Sequence, residues 1–339
     1  MDSRSAAELG ALMTEKLAGF QIAQALHAVA RLGIPQALLD GPRTVADLAA
    51  GAEVDEHLLG RVLHTLTGQG VFTHQPGGTV AVTELGATLA PGTRGSVYGT
   101  ALFWMETHYA PFAALIDVLR TGRTASDLVN GMPFVDFLQA HPEHVPALAA
   151  AMADVTHGAQ SEVLEGYRLP PGTVADIGGA DGSVLAALVA DEPDRRGWLV
   201  DLPAVAATAH EQLATAGLAD RVEVLGGDFF ESVPSAQVYL LSTVLHDWDD
   251  DDALRILGRI RAAAAAGARL VVVEIVLPDG DEPHLGKISD LAMLTMAGGR
   301  ERTRSEFARL LDRSGFALDR VARSSVSGYS VLEATVRDA

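Results

Sequence analysis

The stretch Thr173-Val174-Ala175-Asp176-Ile177-Gly178-Gly179-Ala180-Asp181-Gly182-Ser183 decides the fold. A short apolar run ends on an acid, turns through glycines and opens onto a helical pattern over 183–190. Downstream the alternation repeats, with strands at 198–201, 222–225, 238–242 and 270–276 and helices near 204–216 and 250–265. Strand and helix in turn predict an α/β, doubly wound parallel sheet. A helix over 303–313 follows, opened by a capping box of Thr303 and Glu306. Strands at 317–323 and 330–336 then close the chain as a hairpin.

Upstream the pattern is different. Leu17, Ile22, Ala25, Leu26, Val29 and Leu32 mark one helical face, ended by Gly33 and Pro35. Thr44 with Asp47 resembles a capping box. Leu58, Leu59, Val62, Leu63 and Leu66 recur at helical spacing, and strands at 71–74 and 79–83 flank the turn Pro76-Gly77-Gly78. Three helices and a hairpin predict a winged helix over 1–100. Charge argues against a DNA reader, because these residues hold six basic groups against nine acidic ones. The helix that would enter a groove opens Asp55-Glu56-His57 and carries only Arg61, too little to neutralise phosphate. A packing or dimerising role fits better. Residues 101–170 read as a helical linker with many large apolar groups, among them Phe103, Trp104, Tyr109, Phe112, Phe134 and Phe137. Each alone is ordinary helix core. Together, between 1–100 and 171–339, they suit a wall for a flat apolar ligand.

In open α/β sheets ligands sit beyond the carboxyl ends of the strands. The first strand end carries the glycine turn, but Ala180 and Ser183 stand where a dinucleotide fingerprint needs glycine, which disfavours a pyrophosphate cradle. Asp201 ends the second strand, placed to accept both hydroxyls of a ribose. Gly227-Asp228-Phe229-Phe230 follows the third, with an acid for an adenine amine and an aromatic to stack on the ring. That series describes a nucleoside without phosphate. His246 emerges just past the fourth strand, where a base reaches a substrate beside the nucleoside. Glu274 lies on the fifth strand. Glu301 precedes a helix that Thr303 already caps, so its carboxylate is free to orient His246. The acids at 249–252 read as a helix start complementing its dipole and not as a metal site.

Composition narrows the classes further. The 339 residues are 48% hydrophobic and 20% charged, enough for a real core in two domains. Cysteine is absent, which excludes disulfides, thiolate metal sites and a thiol nucleophile, and fits a reducing cytoplasm. No apolar run is long enough to span a bilayer, and the acidic N-terminus is wrong for a signal peptide. A net charge of −19 repels polyanions.

Asp176 to Gly182, Asp201-Leu202-Pro203, Gly227 to Phe230, Leu245-His246-Asp247-Trp248 and Gly299 to Thr303 together resemble the plant and bacterial small-molecule O-methyltransferases. The resemblance covers essentially the whole chain. It implies a class I methyltransferase sheet at 171–339 that binds S-adenosylmethionine through Gly178, Asp201, Asp228, Phe229 and Ser242. It also implies His246 as general base, flanked by Glu274 and Glu301, and a homodimer formed through a winged-helix domain. Two positions depart from the family pattern: Ala180 replaces a third glycine, and Ser242 stands where many plant members have Lys or Arg. The expected reaction is methylation of a phenolic hydroxyl on an aromatic natural-product intermediate, without a metal. Members of that family that hydroxylate, decarboxylate or cyclise form the alternative, and they lack the histidine. A non-catalytic winged-helix regulator would need a basic helix that this chain lacks.

Overall fold

The computed structural model describes residues 5–190, 192–324 and 327–337. Asp2 and Arg4, counted in the N-terminal charge, lie outside them. The chain divides into two compact units, one holding residues up to Ala110 with Leu138–Gly158, the other holding Pro111–Phe137 with Ala159 onward. The stretch 101–170 thus contributes to both.

In the first unit, helices Gly19–Arg31, Val45–Gly51 and Glu56–Thr67 pack with a small antiparallel sheet of Arg43–Thr44, Thr79–Val82 and Phe72–Gln75, in that order. Their apolar faces meet at Val29, Ile34, Leu63, Leu66, Phe72 and Val80, all buried. The continuous face expected over Leu17–Leu32 is broken at Ala18 into two helices. The first of these, Ala6–Leu17, has a Ser5–Glu8 capping box but no buried residue, and it exposes Leu9, Met13 and Leu17. Thr44 caps the amide of Asp47, yet the Asp47 carboxylate receives the Thr44 hydroxyl and not its amide, so the box is half formed. Asp55 caps the Glu56–Thr67 helix through the amide of Leu58. The helix that would read DNA is therefore anchored by an acid.

The second unit is built on a twisted sheet. Its strands are β1 (Val174–Ile177), β2 (Gly197–Asp201), β3 (Val222–Gly226), β4 (Val238–Ser242), β5 (Arg269–Leu277), β6 (Phe316–Arg323) and β7 (Tyr329–Val336), in spatial order 6-7-5-4-1-2-3. The first five are mutually parallel; β7 runs antiparallel to β5 and to β6. Central parallel strands are covered on both faces, so β1 and β4 are buried along their whole length and read as unbroken apolar runs. The strand order reverses between β1 and β4. Ligands of such sheets bind beyond the carboxyl ends at this switch point, and the glycine turn and the His246 turn both emerge there. The two-residue strand Arg302–Thr303 pairs with the end of β5 and brings the Glu301 loop to the same edge.

Candidate active site

The glycine turn after β1 is shaped by contact. Gly178 has φ +72, and a Cβ there would stand 2.8 Å from Val244 Cγ2 and 3.7 Å from the Phe229 ring, so the position needs glycine on both counts. Ala180 also lies in the left-handed region, at φ +48. Its amide donates to Asp201 Oδ2 at 2.8 Å, while the Leu202 amide donates to Oδ1 at 2.7 Å. Asp201 thus holds the turn that carries Ala180. Burial raises its pKa, and the two amides pull against that. Asp228 is exposed and caps the amide of Phe230 at 2.8 Å. The half-buried ring of Phe229 meets Trp248 edge-on, with centroids 6.1 Å apart. Ser242 is buried at the end of β4 and accepts from Gln160 Nε2 at 3.2 Å.

Beside the glycine turn and Ser242, two acceptor groups have no hydrogen-bond partner among the described residues. Gln160 Oε1 is one; the carboxylate of Asp176, 1% exposed, is the other, with both oxygens unpaired. Burial pushes the Asp176 pKa up to about 8, with Asp201 and Asp181 adding to it. An unpaired buried acceptor costs on the order of 1–3 kcal/mol, so such groups suit a ligand that brings donors.

Beyond β4 the backbone turns sharply. Thr243 takes φ +52, uncommon for a β-branched residue, and the short 3-10 turn Leu245–Asp247 follows. Glu274 Oε1 accepts from the amides of Val244 and Leu245 at 3.0 and 2.8 Å. Its Oε2 lies 3.6 Å from His246 Nδ1, and Glu301 Oε1 lies 3.3 Å from the same nitrogen. Ser289 donates to Glu301 at 2.8 Å. Both carboxylates are fully buried and the imidazole is 15% exposed. Burial opposes a charged ring, but Glu274, Asp247 and Glu301 outweigh it and raise the His246 pKa to about 10. Burial likewise lifts Glu274 to about 7, against the pull of His246.

The turn is also held from behind. Arg302 is entirely buried and donates to Leu245 O at 2.7 Å, Trp248 O at 2.9 Å and Asp250 Oδ1 at 3.0 Å. The Arg300 amide donates to His246 O at 2.8 Å. A Cβ on Gly299 would stand 2.1 Å from that same oxygen. In the acidic run, Asp249 caps the Asp250–Ala263 helix through the Asp252 amide, Asp250 pairs with Arg302, and Asp252 pairs with Arg255. Helix-start chemistry accounts for these acids.

A family model for the O-methyltransferase domain matches residues 112–317, and one for the O-methyltransferase dimerisation domain matches residues 14–92. The chain belongs to the O-methyltransferase family. It is similar to the phenazine O-methyltransferase PhzM of Lysobacter antibioticus, with 39% identity over 97% of each chain. It is also similar to the aclacinomycin 10-hydroxylase RdmB of Streptomyces purpurascens, at 35% identity over 96% of this chain and 90% of that one. Among solved structures, the O-methyltransferase NcsB1 of neocarzinostatin biosynthesis, in complex with S-adenosylmethionine and 2-hydroxy-5-methyl naphthoic acid, superposes with a TM-score of 0.76 at 30% identity, covering 93% of this chain and 95% of that one. The sheet is that of a class I methyltransferase, and the enzyme is an S-adenosylmethionine-dependent O-methyltransferase. Among the described residues no helix is long and apolar enough to cross a membrane.

The structure gathers His246, Glu274 and Glu301 into one cluster, and it places Gly178 beside Phe229 and Asp201 under the glycine turn. Residues given no individual role from sequence join them: Asp176, Gln160, Gly299 and Arg302. Asp176 carried a signal, as an acid ending a buried apolar strand. Gly299 and Arg302 stood inside the Gly299–Thr303 motif, but their roles, like that of Gln160, depend on partners far away in the chain.

Proposed function

We propose that this O-methyltransferase methylates a phenolic hydroxyl of an aromatic natural-product intermediate, with His246 as general base. The observation that carries this reading is the imidazole whose Nδ1 faces two buried carboxylates. With Nδ1–H directed at Glu301, the lone pair sits on Nε2, on the opposite side of the ring. Bound S-adenosylmethionine supplies an electrophilic sulfonium methyl. Gly178 gives it a close backbone approach, Asp201 and Asp228 offer acceptors to its ribose and adenine, Phe229 offers a stacking face, and Ser242 with Gln160 and Asp176 takes the donors of its amino-acid end. His246 Nε2 removes the phenol proton, and the carboxylates stabilise the imidazolium that results. A phenol ionises near pKa ~10, and the carboxylates that raise the His246 pKa make the imidazole a stronger acceptor for its proton.

The acceptor is read as a flat aromatic, supported by the phenazine and naphthoate named for the similar proteins. A homodimer through the N-terminal unit is supported by the Ala6–Leu17 helix, which buries nothing within its own chain. The acidic cap on Glu56–Thr67 speaks against nucleic acid as a partner, and the cysteine-free composition suits the cytoplasm. A second reading, another reaction such as hydroxylation of an aromatic polyketide, draws on the similarity to the aclacinomycin hydroxylase. Incubation with S-adenosylmethionine and a panel of phenols, read by mass, separates the two: methylation adds a methylene, hydroxylation an oxygen. Near-normal turnover by His246→Ala on a true acceptor at neutral pH would refute the base.

A further inference from the structure

His246, Glu274 and Glu301 present ligand atoms that all lie within 4.8 Å of one another, and they are the one such trio of His, Asp or Glu found among the described residues. The spacing is wider than that of a tight charge-assisted hydrogen bond and leaves room for an ion. A charge-assisted N–H···O bond settles at about 2.7–2.9 Å, whereas Nδ1 stands 3.3 Å from Glu301 and 3.6 Å from Glu274. Two bonds of about 2.1 Å meeting at a tetrahedral angle put their donor atoms about 3.4 Å apart. Each carboxylate, moreover, keeps a buried Oε2 with no hydrogen-bond partner among the described residues; that of Glu274 faces Nδ1, whereas Glu301 faces Nδ1 with its Oε1. One imidazole nitrogen and two carboxylates form a borderline donor set, suited to zinc and poorly suited to magnesium or calcium.

We propose that a zinc ion binds His246 Nδ1, Glu274 and Glu301 and reversibly inhibits the enzyme by fixing the imidazole tautomer. The inhibitory half rests on His246 being the base; the binding half does not. A neutral imidazole that coordinates through Nδ1 carries its one proton on Nε2, and the proton displaced from Nδ1 goes to solvent. Nε2 is then a donor and has no lone pair for the phenol proton. The ion lies behind the ring, so zinc lowers kcat while acceptor KM and cofactor affinity hold. With no cysteine in the chain, thiolates cannot account for zinc inhibition.

The test is titration calorimetry of zinc chloride into the EDTA-treated, dialysed full chain, with turnover measured in parallel. One saturable site per chain is expected, weakened about ten- to a hundredfold in Glu301→Gln and Glu274→Gln and unchanged in Asp251→Asn. Turnover should fall with zinc occupancy and return with EDTA. Should either Gln variant misfold, the visible bands of cobalt bound to the unaltered chain report tetrahedral nitrogen and oxygen ligation without any substitution. No saturable binding, or binding indifferent to Glu301→Gln in a folded variant, overturns the site and leaves the base reading standing. Binding at the trio with turnover undiminished overturns the tautomer lock and the base reading beneath it.

Discussion

Gly299→Ala tests whether the turn carrying His246 must be held where it is. The added Cβ would stand 2.1 Å from His246 O, 2.4 Å from Asp247 C and 2.7 Å from Asp247 O, all backbone atoms of that turn. No side-chain rotation relieves such a contact, so the loops must part by about 1 Å to reach normal van der Waals separation. Parting is resisted by the Arg300 amide on His246 O and by Arg302 on Leu245 O and Trp248 O. Overpacking of this kind costs about 1–3 kcal/mol in stability. A misplacement of about 1 Å at the reacting groups costs roughly 10²-fold in rate, or about 2.7 kcal/mol of activation free energy. Single-turnover measurement at saturating cofactor should therefore show kcat lowered about a hundredfold. Binding of S-adenosylhomocysteine should be nearly unchanged, because Asp201 and Phe229 stand on other loops. Gly258→Ala is the control, since nothing lies within 4 Å of its added Cβ. A folded Gly299→Ala enzyme turning over within a few-fold of the parent would refute a positioning role for this contact on His246.

Turnover should rise with pH over the neutral and mildly alkaline range, as His246, raised to about 10, loses its proton. Glu301→Gln removes a charge that favours the imidazolium, so the acid limb of the pH–rate profile should move to lower pH; a limb that stays put or moves up contradicts the pairing. Asp201→Ala removes the proposed ribose acceptors and also the anchor of the Ala180 and Leu202 amides. Calorimetry should find cofactor affinity down at least about tenfold, together with a lower melting temperature. For Asp176, burial holds the folded pKa at about 8, far above the ordinary aspartate value of 3.8. The native state then keeps a proton that the unfolded state releases, and this group lowers stability progressively as pH rises from about 4 to about 8. Asp176→Asn should match the parent in melting temperature near pH 4 and exceed it by pH 8, while weakening cofactor binding. Leu17→Glu puts a charge on a side chain that is 70% exposed within one chain. Light scattering should find it monomeric where the parent is dimeric, and an unaltered mass would move the interface elsewhere.

Much of the second unit is legible from sequence because parallel strands buried on both faces leave apolar runs, and the acids and glycines at their ends are punctuation. His246 was readable by its place past β4, and Glu301 because Thr303 had already taken the capping duty. The two amide bonds to Asp201 were not, since they depend on how one turn leans on the next strand end. Arg302 is a sharper case. Its guanidinium reaches Leu245 across 57 residues of chain, and a buried arginine in an acidic, arginine-rich sequence has nothing local to mark it. The break at Ala18 was hidden as well: the apolar spacing runs straight through it, and only the absence of burial on Ala6–Leu17 separates the two helices.

The contacts around the His246 turn bear on how such enzymes are inherited and recombined. Leu245–Asp250, the Glu274 position of β5 and Gly299–Arg302 lock to one another by charge, by amide bonds and by a glycine that admits no side chain. They behave as a single cassette of roughly sixty residues. A crossover inside that cassette would join a turn from one parent to a clamp from another, whereas a crossover before Ser242 or after Thr303 would pass it on whole. Libraries that shuffle acceptor specificity among relatives should therefore yield active chimeras mainly when this block travels intact.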